Sequence, residues 1–228
     1  MPKLLKLLFK NLEYLSDQNK IELAHYKLDK YRDGESKLGI EKLLKFSESS
    51  AYPIDSLLYT DIEQLENHQK GSIKLLVMDC DGVLTDASMN LTEFGDEFKR
   101  FNAKDGMAIK SCQRQGIQTA IISNGSRDKA IKYRAKMLGI ERVYVGKDSK
   151  MLILNKWLEE LDIKLSEVAF IGDDLNDIPV MKEVAFSACP ADAAKDVKKI
   201  AQVCLQRKGG DACVRELIEK YLVKSLID

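Results

Sequence analysis

The sequence lacks an excess of charge of either sign, because 36 lysines and arginines balance 36 aspartates and glutamates. Without a net positive charge, the chain has no general electrostatic attraction to nucleic acid or to an anionic membrane. Histidine is scarce as well, and His25 and His68 are more typical of surface residues than of metal ligands. Neither nucleic acid nor a membrane is therefore an expected partner.

Cysteine is present but without order, since the five cysteines show neither zinc-ligand nor paired spacing. An odd number of scattered cysteines in a chain of 228 residues indicates a reducing compartment. A long apolar run is also missing: Met1–Phe9 is interrupted by Lys3 and Lys6, and is too short for a signal peptide core or a membrane span. These features predict a cytoplasmic protein.

The sequence does contain a short apolar run that ends in two aspartates, IKLLVMDCDGVLTD over Ile73–Asp86. Such a run is typical of a strand buried on both faces of a parallel sheet. Asp79 and Asp81 then lie at its carboxyl end and point the same way, and Gly82 allows a sharp turn. Two carboxylates this close repel unless a cation or a shared proton lies between them. The alternative is a solvated, aspartate-rich turn.

A second predicted strand, Ile117–Ile122, ends in Ser123-Asn124-Gly125, just before a predicted helix over Arg127–Leu138. A hydroxyl at that place can meet an anion, because its own donor acts together with the positive end of the helix. The alternative is that Ser123 only caps the helix.

Two further predicted strands, Arg142–Val145 and Glu167–Ile171, are also followed by charged residues. Lys150 begins a predicted helix, where a cation opposes the helix dipole and needs another reason for its position. The last strand leads into Gly172-Asp173-Asp174-Leu175-Asn176-Asp177. Carboxylates of this kind are hard oxygen ligands and suit a small divalent ion such as Mg²⁺.

Alternating strands and helices from Ile73 onward predict an α/β fold, a Rossmann-like parallel sheet with helices on both faces. Weaker strand predictions at Val184–Ser187 and Ile200–Val203, and a closing helix over Asp211–Leu222, complete the domain. Because parallel strands present their carboxyl ends at one edge of the sheet, the polar clusters are expected to meet there.

Residues 1–66 carry helical patterning and predict a small all-α domain, followed by a linker at 67–72 and the α/β domain at 73–228. The stretch Asn11–Glu63, with NLEYL, IELA, KYRDGES and GIEKLLKFSESSAYPIDSLLYTDI, resembles a shortened helix-turn-helix domain of the lambda-repressor type. Only HYKLDKYRD separates Ala24 from Gly34, where that family fits a turn and a recognition helix. Packing or protein contacts are therefore expected of this domain rather than DNA binding.

The α/β part resembles the haloacid dehalogenase superfamily of phosphatases, because Asp79-x-Asp81, Ser123, Lys150 and Gly172-Asp173-Asp174 follow one another in that family's order. The segments CDGVLTD, GDEFKRFNAKDGMAI, GDDLND and KGGDACVREL resemble its capless sugar-acid phosphatase branch. That branch hydrolyses 3-deoxy-D-manno-octulosonate 8-phosphate or nonulosonate 9-phosphates, in lipopolysaccharide or sialic acid biosynthesis. The resemblance implies a haloacid dehalogenase fold without a cap domain.

The resemblance also implies roles for individual residues. Asp79 would be the nucleophile that forms an aspartyl-phosphate, and Asp81 the general acid and base. Mg²⁺ would be held by Asp79, Asp173 and the backbone carbonyl of Asp81. The remaining implied roles are phosphate or substrate binding by Ser123, Asn124, Lys150 and Lys208, and orientation of Lys150 or metal-bound water by Asp174 and Asp177.

Assembly and specificity are implied by the same resemblance. The hairpin predicted within Ala87–Asn102 would form a homotetramer, and Lys208 would reach an active site with help from Gly209 and Gly210. Ser123-Asn124-Gly125 departs from the Thr-Gly-Arg or Thr-Gly-Glu of the branch, which leaves the sugar-acid substrate open. An alternative is a regulatory or scaffold protein whose helical domain binds a partner or DNA.

Overall fold

The structure is a computed structural model that describes residues 3–17, 21, 28–32, 38–50, 52, 54–59, 62–63, 73–94, 96–223 and 226. The chain divides into two compact units, Met1–Asn67 and His68–Asp228. Of the helices in the described ranges, none combines the length and the apolar character that a membrane crossing requires.

The first unit is helical, as the leucine spacing predicts. Its described helices are Lys3–Asp17 (α1), Leu28–Arg32 (α2), Ile40–Ser50 (α3) and Ile54–Tyr59 (α4). Leu8, Leu12 and Leu15 share one face of α1 and are fully buried. Asn11 is also buried there, and its amide donates to the Leu57 carbonyl at 2.9 Å and accepts from the Ile62 N–H at 3.0 Å. Its side chain thereby satisfies polar backbone groups inside an apolar core.

Parts of the segment that the helix-turn-helix resemblance depends on lie outside the described residues. This applies to 22–27 and 33–37, and also to the predicted linker at 67–72. The resemblance therefore stays a prediction.

The second unit is built on a six-stranded parallel sheet, which confirms the predicted α/β class. Its strands and those of a separate hairpin are Leu75–Met78 (β1), Asn90–Leu91 (β2), Glu97–Phe98 (β3), Gln118–Ser123 (β4), Arg142–Val145 (β5), Val168–Ile171 (β6), Phe186–Cys189 (β7) and Val203–Cys204 (β8). The sheet order is β5-β4-β1-β6-β7-β8. The strand order reverses at β1, so the carboxyl end of β1 lies where sheets of this kind bind ligands.

The central strands are buried on both faces, which explains why they are apolar without alternation. Leu75 and Val77 of β1 pack in one core cluster with Leu154 and Val180. Leu76 and Met78 point to the opposite face and are equally buried. β2 and β3 pair antiparallel, with Asn90 opposite Phe98, which confirms the predicted hairpin.

Helices connect the strands, and three predicted elements near the carboxyl end are displaced. The helices are Ala103–Arg114 (α5), Lys129–Leu138 (α6), Lys150–Leu161 (α7), Ile178–Glu183 (α8), Lys195–Ile200 (α9) and Cys213–Leu217 (α10). β7 begins two residues later than predicted. Ile200 ends α9 instead of starting a strand, because this segment buries Val197 as part of the helix. The closing helix begins at Cys213 because Ala212 adopts a left-handed φ of 64°.

Candidate active site

The first motif, Asp79-x-Asp81, forms the centre of the site. Asp79 directly follows β1, is 5% exposed, and its N–H donates to the Ile171 carbonyl of β6 at 2.9 Å. The chain then turns through Gly82, whose φ is +93°. A Cβ at Gly82 would lie 2.0 Å from Asp173 Oδ2. Only glycine therefore lets this turn approach the fourth motif, Gly172-Asp173-Asp174. The structure therefore brings the first and fourth motifs together, as predicted from the strand ends.

Three carboxylates meet at this edge of the sheet. Asp79, Asp173 and Asp177 each offer an oxygen within 4.8 Å of the other two. Asp177 is already engaged, because its Oδ2 accepts the N–H groups of Asp173 and Asp174, at 2.9 and 3.2 Å. Asp173 Oδ1 is buried without a hydrogen-bond partner among the described residues. An orphaned buried carboxylate oxygen is the position at which a cation fits.

The pKa values show the same deficit of positive charge. Burial raises the pKa of Asp79 to about 6, with Asp177 adding to the shift and Lys150 opposing it. Burial, together with the charges of Asp79 and Asp177, raises the pKa of Asp173 to about 8. Each carboxyl is harder to ionise than usual because its charge is poorly compensated.

Lys150 lies inside this cluster rather than in solvent. Its Nζ donates to Asp79 Oδ1 and to Asp177 Oδ1, both at 2.6 Å, and its side chain is 1% exposed. Burial lowers the pKa of Lys150, but the two carboxylates outweigh this effect and the net pKa is raised. The unusual position of a lysine at a helix start is thus explained by its ion pairs.

The second motif, Ser123 at the end of β4, lies at the same edge of the sheet. Ser123 is 1% exposed, and its Oγ accepts the Gly125 N–H at 3.1 Å. The alternative that Ser123 only caps the helix is wrong, because α6 begins at Lys129 with Asp128 as the residue before it. A Cβ at Gly125 would lie 3.3 Å from Ser123 Oγ and 3.5 Å from Asp81 Oδ2, so Ser123 and Asp81 flank one spot.

Asn124 and Asp174 hold loops rather than facing the cluster. The Asn124 amide donates to the carbonyls of Gly146 and Asp148, at 3.0 and 3.2 Å, and accepts from Asn176 Nδ2 at 2.8 Å. Asp174 Oδ1 accepts the Leu175 N–H at 2.8 Å. Asn124 therefore links three loops that follow β4, β5 and β6.

Comparison with known proteins shows which family the chain resembles. A family model described as haloacid dehalogenase-like hydrolase matches residues 103–184. The 3-deoxy-D-manno-octulosonate 8-phosphate phosphatase KdsC of Escherichia coli K12 is 37% identical over 152 residues, which are 67% of this chain and 80% of the relative. KdsC of Yersinia pestis is 38% identical over the same share of this chain and 81% of its own. The chain belongs to the haloacid dehalogenase-like hydrolases.

Solved structures resemble this hydrolase over about two thirds of its chain. The phosphatase of Moraxella catarrhalis, in complex with a magnesium ion, a phosphate ion and a KDO molecule, has a TM-score of 0.65 at 32% identity, covering 69% of this chain and 88% of that chain. The cobalt-bound phosphatase of Haemophilus influenzae has a TM-score of 0.63 at 30% identity, covering 68% and 88%. The hydrolase is therefore a KdsC-like phosphoric monoester hydrolase, and its acidic cluster suits the kind of ion these relatives hold.

The loop of Lys208, Gly209 and Gly210, the tail loop of this hydrolase, packs against the first motif. The Gly209 N–H donates to Asp192 Oδ1 at 2.9 Å, and the Gly210 N–H donates to the Val83 carbonyl at 2.9 Å. A Cβ at Gly209 would lie 2.0 Å from the Gly82 carbonyl oxygen. The glycines thus permit close packing beside Asp81, and the reach of Lys208 into an active site stays a prediction. Lys208 stands beside this contact with an exposed side chain.

Sequence reasoning missed two residues of the hairpin. Lys99 Nζ donates to Asp81 Oδ1 at 2.6 Å and to Glu97 Oε1 at 2.8 Å. Both residues belong to the segment GDEFKRFNAKDGMAI, which carried the family resemblance, but nothing local distinguishes them from the exposed charges around them.

Proposed function

We propose that this protein is a Mg²⁺-dependent phosphatase that hydrolyses a sugar-acid phosphomonoester through a phosphorylated Asp79. The observation that carries the proposal is the cluster of the buried Asp79 and Lys150 with the half-buried Asp173, next to Asp81. The proposed ligands of Mg²⁺ are Asp79, Asp173 and the backbone carbonyl of Asp81. When bound, Mg²⁺ would offset the negative charge of the carboxylates and of the phosphate.

In the proposed reaction, an Asp79 carboxylate oxygen attacks phosphorus and the bond to the substrate oxygen breaks. Asp81 donates its proton to that leaving oxygen, which gives the alcohol. Asp81 then takes a proton from water as the water oxygen attacks phosphorus, and the bond to Asp79 breaks with release of phosphate. Lys150 holds Asp79 ionised and oriented through their 2.6 Å contact.

The remaining roles extend this proposal around the phosphate. Ser123 Oγ–H would donate to a phosphate oxygen, and Lys208 would meet a substrate anion from the tail loop. Asn124 would contribute to binding by placing the loop that carries Ser123. Asp177 would orient Lys150, while Asp174 would support the loop of Asp173 through its own contacts.

The sugar-acid substrate is proposed from the relatives, which are named for 3-deoxy-D-manno-octulosonate 8-phosphate. The test is phosphate release with Mg²⁺ from that compound, a nonulosonate 9-phosphate, glucose 6-phosphate and a nucleoside monophosphate. We expect kcat/KM for one of the two sugar acids to exceed that for the other compounds by at least about tenfold, because a hydrogen bond to the carboxylate strengthens binding by about 1.5–3 kcal/mol. Equal or faster hydrolysis of glucose 6-phosphate would refute the substrate class.

We also propose that the hairpin mediates a homotetramer. Large apolar side chains on and beside it are exposed in the single chain, namely Met89, Leu91, Phe94, Phe98 and Met107. Exposed apolar groups in such number favour a protein interface. A tetrameric mass by light scattering is expected, and a monomeric mass would contradict this proposal.

Magnesium binding should depend on pH in a defined direction. Because the pKa values of Asp79 and Asp173 are raised to about 6 and about 8, the ion-free fold loses stability as pH rises from about 4 through these values. Mg²⁺ binds the ionised carboxylates and removes this penalty. The increase in Tm on adding Mg²⁺ should therefore be larger at pH 8.5 than at pH 6. Asp173→Asn is the control, in which the increase should be lost at both pH values.

A further inference from the structure

The Lys99 side chain is buried, although the residues on either side of it, Phe98 and Arg100, are exposed. It follows β3, next to Phe98, which is 62% exposed, yet the Lys99 side chain is only 6% exposed. A buried ammonium group requires charged or hydrogen-bonding partners, and it has them in Asp81 and Glu97. The Glu97 side chain is 9% exposed and lies 2.8 Å from the Lys99 ammonium. The hairpin therefore inserts an ion pair at the edge of the active site of its own chain.

The contact with Lys99 engages only one of the two carboxylate oxygens of Asp81. Both described hydrogen bonds of this carboxyl fall on Oδ1, from Lys99 Nζ at 2.6 Å and from Thr85 Oγ at 3.3 Å. Oδ2 points the other way, toward Gly125 and the spot that Ser123 also flanks. A carboxyl held on one side by two donors cannot rotate freely, so its second oxygen keeps a fixed direction.

We propose that Lys99 is a positioning residue for the reaction, holding Asp81 Oδ1 so that Oδ2 faces the leaving oxygen of the substrate. This inference rests on the proposed function. Oδ2 gives its proton to the leaving oxygen and later accepts one from water, while Lys99 itself transfers no proton and forms no covalent bond. Glu97 fixes the direction of Lys99 from the opposite side.

The test is a double-mutant cycle of Lys99→Met and Asp81→Asn, measured with the best phosphomonoester of the substrate panel. Lys99→Met alone should lower kcat by about 10- to 100-fold, a part of the 10²–10⁴ that a general acid supplies, and leave KM within about threefold. In the Asp81→Asn background the same change should lower kcat by less than about threefold, because the group that Lys99 positions is already inactive. Lys99→Arg, which keeps the charge, should restore part of kcat.

Arg100→Met is the matched control, since Arg100 is the next residue, is 79% exposed and pairs with Asp86 instead. It should leave kcat, KM and Tm unchanged. A further readout is the first turnover of p-nitrophenyl phosphate, whose phenolate leaves without a proton. That turnover should change little in Lys99→Met, whereas a merely structural defect would slow it as much as the other substrate.

Three outcomes would overturn the inference. These are an unchanged kcat in Lys99→Met, a full loss that persists in the Asp81→Asn background, and an effect on KM alone, which would indicate direct binding of substrate by Lys99. Failure of the proposed function itself is distinguishable, because it would appear as activity retained by Asp79→Asn. If Asp79→Asn is inactive and Lys99→Met is fully active, only the role of Lys99 is refuted.

Discussion

Replacing Asp79 by asparagine is expected to reduce phosphatase turnover by several orders of magnitude, the largest effect of any single substitution proposed for this protein. An amide is a poor nucleophile, so phosphoryl transfer to residue 79 would stop. The fold should survive, because asparagine has nearly the same shape and Lys150 keeps its 2.6 Å contact with Asp177. Burial already disfavours the charge of Asp79, so the ion-free variant should be at least as stable as the native chain.

The measurement is steady-state phosphate release with Mg²⁺, together with thermal unfolding. Asp148→Asn is a suitable control, since this exposed aspartate lies at the same edge of the sheet. Its Oδ2 accepts a hydrogen bond from the Tyr144 hydroxyl at 2.7 Å. It should retain native turnover. Phosphatase activity retained by Asp79→Asn would refute Asp79 as the nucleophile. A biological role that survives this substitution would favour the regulatory alternative.

Replacing Gly209 by alanine is expected to have the second-largest effect. This effect arises from packing rather than from a lost catalytic group. The new Cβ would lie 2.0 Å from the Gly82 carbonyl oxygen and 3.0 Å from that of Thr85. Both neighbours are backbone atoms, so the overlap cannot be relieved by a side-chain rotation, and either the tail loop or the turn after Asp81 must move. Overpacking of this kind destabilises by about 1–3 kcal/mol, which lowers Tm by roughly 2–12 °C in a unit of this size.

Activity should fall together with stability, because a shift of about 1 Å at a catalytic group is enough for roughly a hundredfold loss. Gly139→Ala is the matched control. It places alanine at a φ of +70°, but with nothing within 4 Å of the new Cβ, so it carries backbone strain of about 1–2 kcal/mol without a clash. It should lower Tm by roughly 2–8 °C and leave kcat unchanged, so the two variants are separated by kcat. Native kcat in Gly209→Ala would show that the tail loop does not support the turn that carries Asp81.

Much of the candidate site could be predicted from local patterns. Asp79, Ser123 and Asp173 each follow an apolar strand, and parallel strands necessarily bring such residues to one edge of the sheet. The orientation of Lys150 could also be anticipated in part, since a cation at a helix start calls for an opposite charge nearby. These predictions succeeded because a strand, its direction and its end are properties of short segments.

The tail loop shows where local patterns stop being informative. Gly209 and Gly210 are recognisable as a flexible pair, and the family resemblance implies only that they give Lys208 the freedom to reach an active site. The structure packs them against the turn from Gly82 to Asp86, more than 100 residues earlier. Whether a glycine permits freedom or close approach depends on what lies opposite, and no local signal contains that information.

The sequence by itself determined the α/β class, the order of the motifs and the carboxylates at the strand ends, because these depend on hydrophobic periodicity and on chain direction. Only the tertiary structure decided that Lys99 faces Asp81, that Asn124 links three loops and that Asp173 Oδ1 has no partner in the described part of the chain. The physical reason is that hydrogen bonds and buried charges are settled between side chains distant in sequence, after the sheet has formed.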